Sequence, residues 1–374
     1  DNKFFDQIID EIYKRNLLSF NKFAVKLYKN NKKLIYIRDY TNTEIIPRNY
    51  NLQELSKGYD KIIFHCLEKA DIYKLSKLKK SNIQIIWRQW TGDSMDLLND
   101  HLILTSFRYR HPIIKNYGSN PGKNIVFFIH NTAIKSALFI RAICRYKSII
   151  SALSNIDIVG NWNEFETSNL KQCYPSFKAS FVYLPYFYVD HSLPDNTQKK
   201  ISFNNILLGH SGYPDSKYED IISFFGSEIG LKNLEVYCIL SYGEKKYIDF
   251  IINYGKSALG NKFHPIVNFL NKEEYFKMLN TFDICIFNLS KPAGSGNIFR
   301  LLRMGKKVFL REENPMYKFI KDKGVKIFSI NQLLRSPSLL FENMTYEDIL
   351  SNYFLLTGNE YHNRFQSSMD ILIE

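Results

Sequence analysis

The sequence predicts an α/β protein built from two Rossmann-like, doubly wound domains. Its 374 residues are enough for two domains of ordinary size. Short apolar runs alternate with amphipathic helices in both halves, which is typical of parallel βαβ units. The polar, proline-containing stretch 189–200 separates the halves. We therefore predict an N-terminal domain over 1–190, a C-terminal domain over 201–358, and a last helix over 359–374 that could cross back.

The first half opens with an amphipathic helix over 2–18 and an ambiguous region that ends in a strand near 34–38. Further strands are predicted at 61–65, 83–87, 156–160 and 180–184. The second half restarts the alternation, with strands at 204–209, 235–240, 266–270 and 283–288 and helices between them. Such an open sheet binds ligands beyond the carboxyl ends of its strands.

Basic residues are concentrated in one window of the first half. The chain carries a formal net charge of +13, and residues 101–150 contain eight Lys and Arg but no Asp or Glu. This favours an anionic partner, namely a phospholipid surface, a pyrophosphate or a nucleic acid. The alternative, a solvated surface rich in lysine, accounts for the total charge, but it accounts less well for the absence of acidic residues from 101–150. The basic amphipathic stretch 132–153 fits a core-facing helix or one lying on an anionic membrane.

The five cysteines show no CxxC or Cys/His spacing, so we expect free thiols, a reducing compartment and no structural zinc. We find no signal peptide and no apolar run of about 18 residues, so we expect a soluble or peripheral protein. Because the chain opens on a helix rather than a strand, residues are expected to be missing before Asp1.

Three strand-end loops of the second half are rich in glycine. They are Gly209-His210-Ser211-Gly212, Tyr242-Gly243 and Gly294-Ser295-Gly296-Asn297. Glycine lets the backbone approach a ligand closely, and a helix N-terminus attracts a phosphate. One such loop is ordinary turn chemistry, but three at one sheet edge favour a nucleotide-diphosphate site. None matches a Walker A loop or a complete GxGxxG, which argues against a P-loop NTPase or an NAD enzyme.

An acidic turn, Glu312-Glu313-Asn314, follows the next strand. Carboxylates accept hydrogen bonds from the hydroxyl groups of a sugar or ribose, so Glu313 and Asn314 are candidate donor contacts. The alternative is that Glu313 caps the helix that begins at Pro315.

Residues 204–330 resemble a known enzyme family in five segments that recur in order: ILLGHSG, VYCILSYG, YFKMLNTFDICIFN, GSGNIFRLLRMGKKVFL and REENP. The family is the TDP-N-acetylfucosamine:lipid II N-acetylfucosaminyltransferases of enterobacterial common antigen synthesis, glycosyltransferase family 56. The resemblance implies a GT-B enzyme whose two domains face a cleft. It also implies transfer of a deoxy-amino sugar from a TDP donor to a polyprenyl-pyrophosphate-linked saccharide, on the inner face of the bacterial cytoplasmic membrane. No cofactor is expected beyond the nucleotide-sugar substrate.

Two residues depart from this pattern. His210 stands where the family is expected to carry Asn, and Arg300 occupies the helix position where many retaining GT-B enzymes place a ribose-binding glutamate. The donor sugar and the acceptor are therefore not fixed by the resemblance.

No Asp-x-Asp pair follows a strand, so we predict no metal. We expect an inverting enzyme, with the retaining mechanism as the open alternative, and an inverting displacement needs a general base from the first domain. Asp93 is the candidate, with His65 as second choice. The alternatives are an N-cap at Asp93 for a helix starting at Ser94, and an ordinary core histidine at His65.

Acceptor binding is assigned to the residues that could hold a lipid pyrophosphate: Arg88, Trp90, Arg108, Arg110 and Lys115. They could instead contact solvent or phospholipid. Two other functions remain open, a GT-B nucleotide-sugar epimerase and a non-catalytic nucleic-acid binder. The second is disfavoured because no RNP, KH or helix-turn-helix pattern appears, so no nucleic-acid partner is expected.

Overall fold

The computed structural model describes residues 6–26, 42–79, 82–90, 92–94, 96–98, 101, 140, 143–184, 205–228, 234–357 and 359–373. The chain forms two compact units. Unit 1 consists of Asp1–Tyr188 and Arg364–Glu374, and unit 2 of Val189–Asn363. Each unit contains its own parallel sheet.

Unit 1 has a four-stranded parallel sheet in the order β3-β4-β5-β6 and a separate parallel pair, β1-β2. The strands are β1 Phe23–Val25, β2 Thr43–Ile45, β3 Lys61–Phe64, β4 Gln84–Arg88, β5 Ile158–Asn161 and β6 Ser180–Tyr183. Its described helices are Asp6–Lys14, Leu52–Leu55, Lys69–Lys77, residues 143–154 and Phe165–Cys173.

Apolar side chains on both faces of β4 hold unit 1 together. Trp87 is fully buried in a cluster with helix Lys69–Lys77 and residues 149–153, while Ile86 lies in a second cluster. That second cluster contains Met369 and Leu372 of the last helix, Asn359–Ile373. This is the position expected of a terminal helix that returns to the first domain.

Unit 2 is a six-stranded, all-parallel sheet in the order β9-β8-β7-β10-β11-β12. The strands are β7 Asn205–Leu208, β8 Glu235–Ile239, β9 Phe263–Ile266, β10 Ile284–Phe287, β11 Lys307–Leu310 and β12 Phe328–Ser329. The strand order reverses between β7 and β10, so the crevice beyond their carboxyl ends is a topological switch point, where doubly wound sheets bind ligands.

Helices connect the strands of unit 2 and bury their apolar sides against the sheet. They are Tyr218–Ser227, Lys245–Leu259, Lys272–Asn280, Ser295–Arg303, Pro315–Asp322, Ile330–Leu333 and Tyr346–Thr357. Two neighbouring strands, β10 and β11, are buried along their whole length. Their near-continuous apolar sequences are typical of a parallel sheet covered on both faces.

Two strand predictions need correction. The strand predicted at 266–270 is β9, Phe263–Ile266, whereas Val267 and Phe269 lie beyond it and are exposed. Pro265 lies within β9, which is an edge strand, where a missing N–H is tolerated. The short pair β1-β2 was not predicted. The strand expected near 34–38 and the linker 189–200 lie outside the described residues.

Among the residues that the structure describes, no helix is both long and apolar enough to cross a membrane. All five cysteines are free; Cys238 and Cys285 are buried, as expected for thiols within apolar strands, whereas Cys66 and Cys144 are exposed.

Candidate functional site

The loops after β7 and β10 meet at the switch point of unit 2. The backbone N–H of Gly209 donates to the carbonyl oxygen of Ile286, at 2.8 Å, which holds the first loop beside the end of β10. The carboxylate of Asp215 in the first loop pairs with the ammonium of Lys291 in the second, at 2.6 Å. The two glycine-containing stretches predicted to bind a nucleotide diphosphate are therefore brought together.

The glycines of the loops after β7 and β8 serve the packing of the protein itself. Gly209 has φ +63°, and a Cβ there would lie 2.0 Å from the buried hydroxyl of Tyr218. A Cβ at Gly212 would lie 2.4 Å from Ile248, and one at Gly243 would lie 2.3 Å from the carbonyl oxygen of Gly212. The missing Cβ at these three positions therefore makes room for atoms of the protein, and the contact of these glycines with a ligand stays a prediction.

Gly294 differs, because it begins a helix. It adopts φ +67° as the N-cap of helix Ser295–Arg303. Because glycine has no side chain, no cap side chain accepts a hydrogen bond from the N–H groups of the first turn. The first helical hydrogen bond runs from the N–H of Ile298 to the carbonyl oxygen of Gly294, at 3.0 Å. The N–H groups of Ser295, Gly296 and Asn297 precede it and point out of the helix. This end of the helix carries partial positive charge and suits an anion.

The ring of His210 lies against this helix start. A Cβ built on Gly294 would be 3.0 Å from the ring's Cγ atom, and the Nε2 atom lies 3.3 Å from the hydroxyl oxygen of Ser211. The Nδ1 atom is buried and has no hydrogen-bond partner. Burial lowers the pKa of His210 to about 4, with opposing smaller effects of Asp215 and Lys291. The imidazole is therefore neutral at pH 7.

Other predicted donor contacts have different surroundings. The side-chain amide of Asn297 donates to the hydroxyl of Tyr275, at 2.8 Å, so its side chain is engaged within the protein. Tyr242 is half-exposed, and its ring packs edge-on against that of Tyr213, with the ring centroids 6.5 Å apart. Arg300, which was not predicted as a donor contact and occupies the position of a ribose-binding glutamate, has its guanidinium over the ring of Phe276, 3.3 Å from its centroid. Among these, Tyr242 presents the most accessible side chain.

Asn314 is a structural residue rather than a donor contact. It is fully buried, and its amide donates to the carbonyl oxygens of Leu289 and Lys291, at 3.1 and 2.8 Å. Its side-chain oxygen accepts from the N–H of Met316, at 3.0 Å, which makes it the N-cap of helix Pro315–Asp322. No atom of this amide is left for a substrate. The prediction that Asn314 contacts the donor is therefore wrong.

Because Asn314 is the N-cap of helix Pro315–Asp322, the alternative that Glu313 caps this helix is wrong. Its carboxylate is exposed and accepts from the side-chain amide of Asn331, at 3.1 Å. The pKa of Glu313 is lowered, chiefly by a hydrogen bond from its own backbone N–H and further by the bond to Asn331. Glu313 thus stays ionised at neutral pH and accessible to hydroxyl groups, which keeps it as a candidate donor contact.

In unit 1, Asp93 anchors the loops after β3 and β4. One carboxylate oxygen accepts from the backbone N–H of Leu67 and from the indole N–H of Trp87, both at 2.9 Å. The other accepts from the N–H groups of Trp90 and Ser94, at 2.8 and 2.9 Å. Helical residues already begin at position 92, so an N-cap at Asp93 for a helix starting at Ser94 is wrong.

The four donors leave little of the Asp93 carboxylate for a reacting hydroxyl. Its side chain is only 7% exposed, and burial raises its pKa to about 7, against the lowering effect of the four N–H groups. That pKa suits a general base, whereas the buried and fully engaged carboxylate suits a group that fixes its loops. The catalytic role of Asp93 stays a prediction.

His65 and Arg88 stand together at the ends of β3 and β4. The Nδ1 atom of His65 lies 3.5 Å from a guanidinium nitrogen of Arg88, and the guanidinium lies 5.5 Å from the centroid of the Trp90 ring. Burial, and then the charge of Arg88, lower the pKa of His65 well below its usual value. Arg88 is buried, so its alternative assignment as a residue in contact with solvent is wrong. Arg108, Arg110 and Lys115 lie outside the described residues.

A buried polar network beside these residues was not predicted. The side-chain oxygen of Gln89 accepts from the amide of Asn161, at 2.9 Å, and from the hydroxyl of Thr167, at 2.7 Å. The Asn161 amide also reaches the carboxylate of Glu166, at 3.3 Å. The signal in the sequence was a polar residue at the carboxyl end of an apolar strand: Gln89 directly follows β4, and Asn161 is the last residue of β5. Within the described ranges, no group of three His, Cys, Asp or Glu residues could hold a metal ion.

Comparison with solved structures identifies the fold as GT-B. The chain matches the N-terminal domain of trehalose-6-phosphate phosphatase from Candida albicans at 13% identity and a TM-score of 0.50, over 81% of this chain and 72% of that one. It matches TarM at 13% identity and a TM-score of 0.50, over 83% of this chain but only 54% of TarM. Sucrose-phosphate synthase from Thermosynechococcus elongatus matches at 9% identity and a TM-score of 0.50, over 86% of this chain and 72% of that one.

The family comparison gives the class of protein. Residues 164–340, just under half of the chain, match the family model described as 4-alpha-L-fucosyltransferase, glycosyl transferase group 56. A search of curated proteins finds no match. The chain therefore has the GT-B fold, and it spans about half of the length of several of the glycosyltransferases that share it. More particularly, its segment 164–340 matches the model of the group 56 transferases, which confirms the resemblance drawn from the sequence.

Proposed function

We propose that this protein transfers a deoxy-amino sugar from a TDP-sugar donor to a polyprenyl-pyrophosphate-linked saccharide in the synthesis of a bacterial surface polysaccharide. The family match of residues 164–340 supports this substrate class. The observation that carries the proposal is the switch point of unit 2. There, an uncapped helix start at Gly294 and the neutral ring of His210 face the position where a donor diphosphate would bind.

The donor half of the reaction follows from this arrangement. As the bond between the anomeric carbon and the diphosphate oxygen breaks, the electron pair stays on the diphosphate. The N–H groups at the start of helix Ser295–Arg303 stabilise that developing charge because they are fixed before the reaction begins. Glu313, accessible and ionised, is the candidate for hydroxyl groups of the sugar or ribose.

The acceptor half is assigned to unit 1. A general base must remove the proton of the acceptor hydroxyl, and Asp93 and His65 remain the candidates in that order. Arg88 and Trp90 lie at the same carboxyl edge of the sheet and belong with the acceptor. We propose inverting chemistry with no metal, and no cofactor beyond the nucleotide sugar.

A thermal-shift panel with TDP, UDP, GDP and CMP tests the donor class. A nucleotide that binds only the folded state stabilises it, by about 2.7 kcal/mol when its concentration is 100 times its Kd. We expect TDP to raise the melting temperature more than the other three. Stabilisation by CMP alone, or by none of them, would refute the donor assignment.

We also propose that the protein binds the anionic inner face of the cytoplasmic membrane. The acid-free window 101–150 supports this, as do the exposed side chains of Ile140 and Ile143, which are 59% and 49% exposed near the exposed Lys147. Sedimentation with vesicles containing phosphatidylglycerol should exceed that with neutral vesicles and should decline at high salt.

A pair of variants sharpens this vesicle experiment. Ile143→Asp should weaken sedimentation with anionic vesicles, because it replaces an exposed apolar group in the basic region with a negative charge. Phe354→Asp is the control, since Phe354 is similarly exposed, at 58%, but belongs to unit 2. Equal sedimentation with anionic and neutral vesicles at both salt concentrations would contradict the electrostatic role.

A further inference from the structure

The packing of the protein does not explain the buried Nδ1 atom of His210 at the switch point. A buried nitrogen without a hydrogen-bond partner is costly, and such groups are rare in folded proteins. The ring is held on its other side, where Nε2 lies 3.3 Å from the hydroxyl of Ser211. The ring atoms nearest to the N-cap of helix Ser295–Arg303 are Cγ and Cδ2, so the ring lies beside the helix start.

We propose that His210 acts as a neutral, directed hydrogen-bond donor, giving its Nδ1–H to an oxygen of the donor diphosphate, and that Ser211 fixes this tautomer. The inference rests on the proposed function. A neutral imidazole carries one N–H, so one ring nitrogen donates and the other accepts. If the hydroxyl of Ser211 donates to Nε2, the proton must lie on Nδ1. Nδ1 is bonded to Cγ, the ring atom nearest to the N-cap, so this donor lies near the helix start.

The charges around the ring favour this neutral form. The titratable groups that act on His210 are Asp215 and Lys291, and these two pair with each other at 2.6 Å. Their effects on the imidazole oppose each other, so burial decides its charge state. The helix start therefore supplies the positive potential, and His210 supplies direction. No proton leaves Nδ1 during transfer; the bond that breaks leaves its electron pair on the diphosphate oxygen that His210 contacts.

Two amide side chains separate this role from a merely structural one. The side-chain nitrogen of Asn reaches the position of Nδ1, whereas that of Gln reaches the position of Nε2. His210→Asn therefore keeps the donor, and His210→Gln and His210→Ala lose it. A hydrogen bond to a charged group corresponds to a change in affinity of about 10- to 100-fold. Ser211→Ala keeps the imidazole ring but no longer fixes its tautomer, so its loss of affinity for TDP should be smaller than that of His210→Ala.

The experiment is titration calorimetry of the full-length chain with TDP as probe. We expect His210→Asn to bind within about threefold of the wild type, and His210→Gln and His210→Ala to bind about 10- to 100-fold more weakly. His264→Asn is the matched control. His264 lies in the edge strand β9 and pairs with Glu235 of β8, away from the switch-point loops. Its affinity for TDP should equal that of the wild type.

Nitrogen-15 spectra of histidine-labelled protein give a readout that folding defects do not mimic. The His210 signals, identified by their absence in His210→Asn, should show a protonated Nδ1 and an unprotonated Nε2, and Ser211→Ala should shift protons toward Nε2. Equal TDP affinity of the Asn and Ala variants, or a protonated Nε2 in the wild type, would overturn the inference. Failure of the wild type to bind TDP would instead overturn the proposed function.

Discussion

Replacing Asp93 with Asn decides between the two roles that this carboxylate could have. The Asn side chain keeps one oxygen, which can accept from two of the four N–H groups that now point at the carboxylate. Its amide nitrogen would face the other two. Each buried donor left without an acceptor costs about 1–3 kcal/mol, so we expect Asp93→Asn to lower the free energy of unfolding by about 2–6 kcal/mol.

Urea unfolding followed by tryptophan fluorescence measures this effect, because Trp87 is fully buried and donates its indole N–H to Asp93. Asp96→Asn is the control: Asp96 is exposed and pairs with Lys69 at 3.2 Å, which contributes about 0–1 kcal/mol. A stability of Asp93→Asn equal to that of the wild type, together with lost turnover and unchanged TDP binding, would refute the anchoring role and establish Asp93 as the general base.

Three further predictions concern unit 2. Asn314→Ala should lower the free energy of unfolding by about 2–4 kcal/mol, because it removes a helix cap and the amide that donates to the buried carbonyl of Leu289. Urea unfolding measures this loss, with Glu313→Ala as the exposed control. A loss below about 1 kcal/mol would contradict the prediction. Gly209→Ala should lower the melting temperature, because the new Cβ would lie 2.0 Å from the hydroxyl oxygen of Tyr218 and the tyrosine would have to move. An unchanged melting temperature would contradict this prediction. Stability should fall as the pH drops from about 6.5 to 4, by about 3 kcal/mol from His210 alone, since its pKa is about 4 in the folded state and 6.5 is the ordinary value. His210→Asn should lose that part of the pH dependence, as thermal unfolding at several pH values would show.

The sign of that pH dependence follows from proton binding. Below pH 6.5 the unfolded chain protonates His210, while the folded chain does not until the pH approaches 4. Protons therefore favour the unfolded state in this window. Stability is fully present above it and declines through it.

The alternation of apolar runs and helices predicted the sheet of unit 2 well, because buried parallel strands leave a strong signal in sequence. It missed β1 and β2, which are three residues each and too short for a periodic pattern. It misplaced β9 because Pro265 is compatible with a strand only at a sheet edge, and strand order is not visible in the sequence.

The site was harder to predict than the fold. The residue types at the switch point were recognised, but their partners were not. Gly212 and Gly243 face each other across a β-bridge, and the side-chain amide of Asn314 donates to two carbonyl oxygens of the loop after β10. These contacts join residues tens of positions apart, and they decide which polar groups remain available to a ligand. That the Nδ1 atom of His210 has no hydrogen-bond partner can be seen only from these contacts in the structure.

The most direct test of the central claim is a transfer assay with a TDP-linked 4-acetamido-4,6-dideoxy sugar and a polyprenyl-pyrophosphate-linked saccharide. We predict that the sugar appears on the lipid-linked acceptor, that one TDP is released for each sugar transferred, and that the anomeric configuration is inverted. Consumption of the donor without transfer, through epimerisation, or no consumption at all in a protein that is folded, would contradict it.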